Sequence, residues 1–270
     1  MTPPSNNRRE RWFEFLRPIS ARRAWILGIA IWVLFFALWE LGVAAGAVTE
    51  LLVPSPHKVL MTLIGMLAGD FPADIAVSIY RILLSFLGAC LLAVPLGILM
   101  GSFRAAEAFF NPFVSAWRYL PAPSFIPILL MWLGTGEGPK LALLFIGVVF
   151  FLITLIMDHT KDVRREIVET AMTLGANRRQ ILWTVIVPAV LPDVLVAMRQ
   201  MLAVSWTYLV IAEIVASTTG IGAMMMRARR FLHTDEIMAG IVVIGVLGIV
   251  FDMLFRLGHH LAFPYLRERR

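Results

Sequence analysis

ETAMTLGANRRQILWTVIVPAVLP, Glu169–Pro192, is a polar, glycine-broken interruption in a chain that is otherwise strongly apolar. Upstream of it, Val163, Ile167, Val168, Ala171 and Met172 recur at helical spacing and give a modest apolar stripe. Leu174-Gly175 ends that pattern, because glycine readily takes the left-handed conformation that follows a helix C-terminus. Asn177 then suits the cap of a second helix, whose register of Ile181, Leu182, Val185 and Ile186 leads into Pro188 and Pro192. The pattern predicts helix, sharp turn, helix over residues of about His159–Pro192. A connector between two spans needs only a few residues. A rigid, partly apolar element of this length in water is costly unless something binds it.

The rest of the chain supplies the membrane. Of 270 residues, 59% are hydrophobic and 16% charged, against roughly 45–50% and about 25% in soluble domains. Several runs approach or pass the ~18–20 apolar residues that cross about 30 Å of hydrocarbon. The composition therefore predicts an all-α integral membrane protein of about six transmembrane helices. The spans expected are Ala24–Ala45, Val77–Gly101, Ala108–Leu133, Leu141–Met157, Leu191–Ala212 and Ile237–Leu257. Ahead of the second, Ser55-Pro56 suits the start of a short amphipathic helix with proline at its first position.

Charge placement sets the orientation. Arg8, Arg9, Arg11, Arg17, Arg22, Arg23, Arg104, Lys161, Arg164, Arg165, Arg178, Arg179, Arg256, Arg267, Arg269 and Arg270 all fall on one side. By the positive-inside rule that side is cytoplasmic. Residues 1–23 are then a cytoplasmic segment, residues 24–270 the membrane domain, and both termini are cytoplasmic. This asymmetry explains the net charge of +6 without nucleic acid as a partner. Arg227, Arg229 and Arg230 break the rule; loop 216–236 either dips back toward the membrane or meets an anionic partner. The N-terminal apolar run lacks a small-residue cleavage site and is expected to be an uncleaved span.

Glu169-Thr170-Ala171, Leu174-Gly175-Ala176, the Ile/Leu run, and Pro188 through Pro192 resemble the EAA loop of ABC importer permeases. Thr170 departs mildly from the small residue expected there. LVPSPHKV, SIYRILLSFLGACLLAVPLGILMG, RYLPAPSFIPILLMWLGTGEGPK and AVSWTYLVIAEIVASTTGIGAMM extend the resemblance to the nitrate/sulfonate/bicarbonate/taurine branch. The resemblance implies a type I, MetI-like permease fold in a bacterial cytoplasmic (inner) membrane. It also implies two permease subunits, expected as a homodimer in membrane lipid, two cytoplasmic ABC ATPase subunits and an extracytoplasmic solute-binding protein. The loop would be the coupling helix that docks on the ATPase, with Glu169, Ala171, Gly175 and Ala176 as coupling residues; Arg178 and Arg179 either join them by pairing with acids on the ATPase or anchor the cytoplasmic side. ATP would be bound by the ATPase, so this chain needs no cofactor and is not an enzyme. Its cargo would be a small anion.

Candidate path residues follow from the cost of polar groups at membrane depth. Arg118 and Arg199 lie inside spans, where they either line an anion path or snorkel to headgroups. Pro121, Pro123 and Pro127 break one span repeatedly, and non-helical backbone at that depth is tolerated where it is buried or lines a cavity. Trp206 and Glu213 complete the path set, Trp206 as a packing or a ligand-contacting residue and Glu213 as a gate, a contact for the binding protein or a headgroup-level charge. Arg81, close to the outer boundary, is expected to snorkel. Ala89, Ala93, Gly97 and Gly101 make a small-residue packing row, within a subunit or across a dimer. GTGEGPK, Gly134–Lys140, lacks the glycine before and hydroxyl after the lysine that a phosphate-binding loop requires. The five histidines have no ligand spacing, and no metal is expected. The competing function is a stand-alone secondary anion transporter coupled through Arg118, Arg199 and Glu213, which would have no use for a docking helix.

Overall fold

The computed structural model describes residues 19–265, and its regular elements are helical throughout. The N-terminal arginines Arg8, Arg9, Arg11 and Arg17 and the C-terminal Arg267, Arg269 and Arg270 lie outside the described residues. The chain divides near Pro56 into two compact units. The first carries α1 (Ala21–Ala44), an apolar helix of 24 residues in which Trp32, Phe36 and Trp39 stack in succession and Phe35 meets Trp39 edge-on.

The second unit starts with α2 (Pro56–Leu67), where proline occupies the first helical position as expected. It continues through α3 (Phe71–Ser102), α4 (Arg104–Arg118) and α5 (Ile126–Leu133) to α6 (Glu137–Lys161). The short α7 (Arg165–Thr173) and α8 (Arg178–Gln180) precede α9 (Val187–Ala216), and α10 (Ile221–Arg230) precedes α11 (Thr234–Ala262). Five segments among the described residues are long and apolar enough to span a membrane, with a shorter apolar helical stretch at Ala122–Leu133. At 1.5 Å rise per residue, α6 alone reaches about 37 Å, enough for the hydrocarbon core.

The expected third span, Ala108–Leu133, is not one helix. α4 stops at Arg118, Pro121 is extended (φ −66°, ψ 115°), and a 3-10 turn at Ala122–Phe125 leads into α5. Pro121, Pro123 and Pro127 each withdraw a backbone donor here, so an uninterrupted ladder cannot form. Trp117 stacks on Phe125 across the break (5.5 Å) and on Phe150 of α6 (5.4 Å), pinning the bend to the bundle.

α3 and α6 run parallel and form the principal interface of the bundle; α9 packs antiparallel against both, chiefly against α6. Lipid tails are as apolar as leucine, so helix association depends on close packing and not on the hydrophobic effect. The row Ala89–Ala93–Gly97–Gly101 supplies it, and it packs within the chain. A Cβ at Gly97 would lie 2.8 Å from Ile156 Cβ and 2.9 Å from the Ile153 carbonyl, and one at Gly101 would overlap Thr160. Ile82, Leu144, Leu152, Ile156, Val190 and Leu209 fill the centre with essentially no exposure.

Candidate functional site: a projecting helical turn and a buried charge cluster

The interrupted loop folds as its residues predict. α7 ends in a paired-bond turn: the Ala176 amide donates to the Ala171 carbonyl (3.0 Å) and the Gly175 amide to Met172 (2.9 Å). That pattern places Gly175 in the left-handed region, and its φ is +83°. Asn177 then caps α8 reciprocally, accepting from the Gln180 amide (2.9 Å) while its own amide donates to the Gln180 side chain (2.8 Å). Ile181–Ile186 widens into a π-turn that carries the chain past Pro188 into α9. Such widened turns accommodate backbone groups that a proline leaves without a partner.

No residue of α7 is buried. Met172 is 56% and Leu174 82% exposed, beside the exposed Arg178 and Arg179. Glu169 accepts from the Arg165 guanidinium one turn earlier (2.6 Å); such an exposed pair stabilises little. Ala171 and Ala176 meet at the turn through the carbonyl–amide bond described above.

At the opposite end of the α3–α6–α9 bundle lies a cluster that the sequence reading did not assemble. Arg81 is 0% exposed and does not snorkel, contrary to expectation. Its Nε and Nη2 make a two-pronged contact with Glu137 (2.6 and 2.7 Å), and Nη1 donates to Glu213 (2.7 Å) and to the Thr219 carbonyl (2.7 Å). Nη2 also donates to Thr219 Oγ1 (3.0 Å), so all five guanidinium N–H groups have acceptors. Glu213, also 0% exposed, accepts from Arg81, from Ser78 Oγ (2.8 Å) and from the Gly222 amide (2.8 Å). Buried charges are tolerated when they are paired and their remaining lone pairs are bonded, and both conditions hold. Lys140 donates to Glu137 (2.9 Å), and Arg227 pairs with Asp74 (2.5 Å).

The cluster seats α10. Three successive amides at its N-terminus, Gly220, Ile221 and Gly222, donate to Asp74 (2.6 Å), Ser78 (2.9 Å) and Glu213 (2.8 Å). Two carboxylates at a helix N-terminus are favoured by its partial positive charge. Gly220 has φ +104°, and any Cβ there would overlap the Glu213 carboxylate. The rule-breaking loop 216–236 is thus a helix folded back into the bundle, with the first of its three arginines neutralised inside the chain. Asp74, Ser78 and Arg81 share one face of α3 at four- and three-residue steps, a signal legible in SIYRILLSF and its approach. Glu137 and Lys140, in the GTGEGPK segment, lie too far along the chain for any local pattern to join them to this face.

The remaining predicted residues do not converge. Arg118 ends α4, lies over the Tyr119 ring (5.4 Å) and has no carboxylate partner among the described residues. Pro121 is exposed and Pro123 half-buried at the break. Arg199 faces Asp252 (3.5 Å), which also holds Arg256 (2.6 Å), and lines a cavity of about 880 Å³ between α9 and α11 at the α7 end. Trp206 is buried against Phe251 (6.0 Å), its indole N–H without an acceptor among the described residues.

Comparison with known proteins agrees with this architecture. Residues 93–266 match the family described as binding-protein-dependent transport system inner membrane component. The chain is 30% identical over 257 residues to the taurine transport system permease protein TauC of Escherichia coli (strain K12), covering 93% of this chain and 92% of that one. It is 30% identical over 242 residues to a putative aliphatic sulfonates transport permease protein, SsuC, of Bacillus subtilis (strain 168), covering 89% and 88%. Its fold is similar to a chain of the inward-facing MetNI methionine ABC transporter, with a TM-score of 0.58 at 17% identity over 69% of this chain and 95% of that chain. Helical spans, a solvent-exposed glycine turn and these matches lead to one conclusion: the chain belongs to the binding-protein-dependent transport system inner membrane components and is a transmembrane permease of an ABC transport system.

Proposed function

We propose that this permease imports a small organic or inorganic anion, of the sulfonate or taurine type in the first instance, with nitrate and bicarbonate as further members of the class. A solute-binding protein delivers the cargo to the Arg81–Glu213 end, and ATPase subunits grip the α7–α8 turn at the other. In this reading the turn lies in the cytoplasm, as do both termini, and two copies of the chain assemble in the inner membrane. Names of relatives support the sulfonate class; Arg118, beside a proline break and without a carboxylate partner among the described residues, supplies a cation for an anionic cargo.

The observation that carries the coupling role is an ordered turn with no burial of its own. A capping box and a paired-bond glycine turn hold the helices rigidly, yet Met172 and Leu174 are presented to solvent. Rigid exposed apolar side chains flanked by Arg178 and Arg179 fit a groove on a second polypeptide, and pre-organisation lowers the entropy cost of docking. ATP-driven closure of the ATPases would then pull on α7 and tilt α6 and α9 as rigid bodies. The test is co-purification: Gly175→Trp or Leu174→Asp releases the ATPase subunit while helix content by circular dichroism is retained. Retention of the ATPase by both variants, with ATP-independent uptake in liposomes, would favour the secondary transporter instead.

A further inference from the structure

We propose that Arg81 and Glu213 are positioning residues that keep α10 seated throughout the transport cycle, making the segment between α9 and α11 a fixed wall and not the moving gate. The charges of the cluster balance within the chain: Arg81, Lys140 and Arg227 against Asp74, Glu137 and Glu213. Every Arg81 donor is used, and three α10 amides end on α3 and α9 side chains. Lifting α10 would leave Glu213 and Asp74 without those amides, in a site where unpaired polar groups are expensive. Below the charges, Ile221, Met224 and Ala228 of α10 pack with Phe71 of α3 and Val243 of α11, so apolar contacts hold the same seat. Gly220 and Gly222 leave no room for a looser fit, since a Cβ at either would enter the Glu213 side chain. At the other end, α7 buries no residue. Motion therefore enters where the chain is unburied and stops where the charges interlock.

The inference rests on the chain being a permease that changes conformation, and not on the cargo or on the ATPase contact. Its test reads the accessibility of α10 directly. Ala228→Cys, at a position 2% exposed, is placed in a Cys90→Ser background and labelled with a membrane-impermeant maleimide; the exposed Arg229→Cys serves as reference. In the permease alone, Glu213→Gln should speed labelling of Ala228→Cys by about tenfold or more, as a local opening would, with Arg229→Cys unchanged. Ser78→Ala, which removes only a neutral hydroxyl, should act in the same direction and serves if Glu213→Gln fails to fold. In the assembled transporter with the native cluster, labelling of Ala228→Cys should be equal with and without ATP and vanadate. Faster labelling on ATP trapping would show that α10 lifts, and equal labelling in Glu213→Gln and Ser78→Ala would show that the cluster does not seat it. Either result overturns the proposal. Because the first arm needs no ATPase, loss of the coupling reading would leave it intact.

Discussion

Gly175 has nothing within 4 Å of where a Cβ would stand, so a substitution there acts on the backbone alone. At φ +83° an L-residue is strained, by about 1–2 kcal/mol, whereas asparagine tolerates the region better. Gly175→Ala is expected to weaken ATPase binding about tenfold, with Gly175→Asn intermediate between it and the native chain, as read by titrating the ATPase onto permease in nanodiscs. A steric role would rank the bulkier asparagine as the worse of the two. Arg81 makes the opposite kind of residue: all its worth is in its partners. Arg81→Met leaves Glu213 buried without its cation and should lower stability by about 3–5 kcal/mol, visible as a drop in the midpoint of thermal unfolding. Gly175 was legible in sequence because its signal is local, a glycine after one helical pattern and before a cap. The role of Arg81 is not legible there, because its partners Glu137 and Glu213 lie 56 and 132 residues away. Nothing in the local hydropathy separates a snorkelling arginine from an interlocked one.

α3 and α6 meet through glycines, and the interface has a testable directionality. Gly97→Ala drives a methyl to 2.8 Å from Ile156, an overpacking that typically costs 1–3 kcal/mol, so about 2 kcal/mol is expected. Gly248→Ala in α11 meets nothing within 4 Å of the chain's own atoms, and gains helix propensity of about 0.5–1 kcal/mol. Thermal denaturation of the two variants in the same detergent should therefore move in opposite directions. The small-residue row was visible at sequence level, but whether it packed inside the chain or against a second copy was not, since spacing alone does not name the partner helix. The broken third span shows the same limit. Three prolines announced a break, yet the register in which α4 yields to a 3-10 turn depends on Trp117 stacking with Phe125 and Phe150, contacts that only the folded bundle supplies. Nor did periodicity reveal α10: IGAMMMRARR is short and ends in arginines, and it is helical because Asp74, Ser78 and Glu213 receive its first amides.

At the scale of the molecule, the two ends of the bundle differ: a solvent-exposed turn at one, an interlocked cluster at the other, with a proline break and an arginine that has no carboxylate partner among the described residues between them. α4 starts where Glu107 pairs with Lys161 near the α7 end, and at 1.5 Å per residue its last residue lies about 20 Å along the axis. If the bundle axis follows the membrane normal, Arg118 lies well inside the hydrocarbon thickness, where a charge without a carboxylate partner is expensive. Its guanidinium has the Tyr119 ring against it and no carboxylate partner among the described residues, which suits a sulfonate or similar anion in transit, because guanidinium offers paired donors to such oxygens. If Arg118 meets the cargo, Arg118→Gln removes a charge-assisted contact of about 1.5–3 kcal/mol. In proteoliposomes with the ATPase and binding protein, half-saturation for taurine or an alkanesulfonate should then rise about tenfold or more, while binding of the cargo to the isolated binding protein stays the same. Arg118→Lys should restore part of the loss, since it keeps the charge but not the planar fork. A snorkelling arginine predicts another outcome: transport unchanged in both variants, with only the thermal midpoint shifted. Arg199, held at 3.5 Å by Asp252, serves as the paired control, and its substitution should also disturb Asp252 and Arg256. The two arginines look equivalent in sequence; among the described residues a carboxylate stands beside Arg199 and none beside Arg118, which makes Arg118 the stronger candidate for a cargo contact.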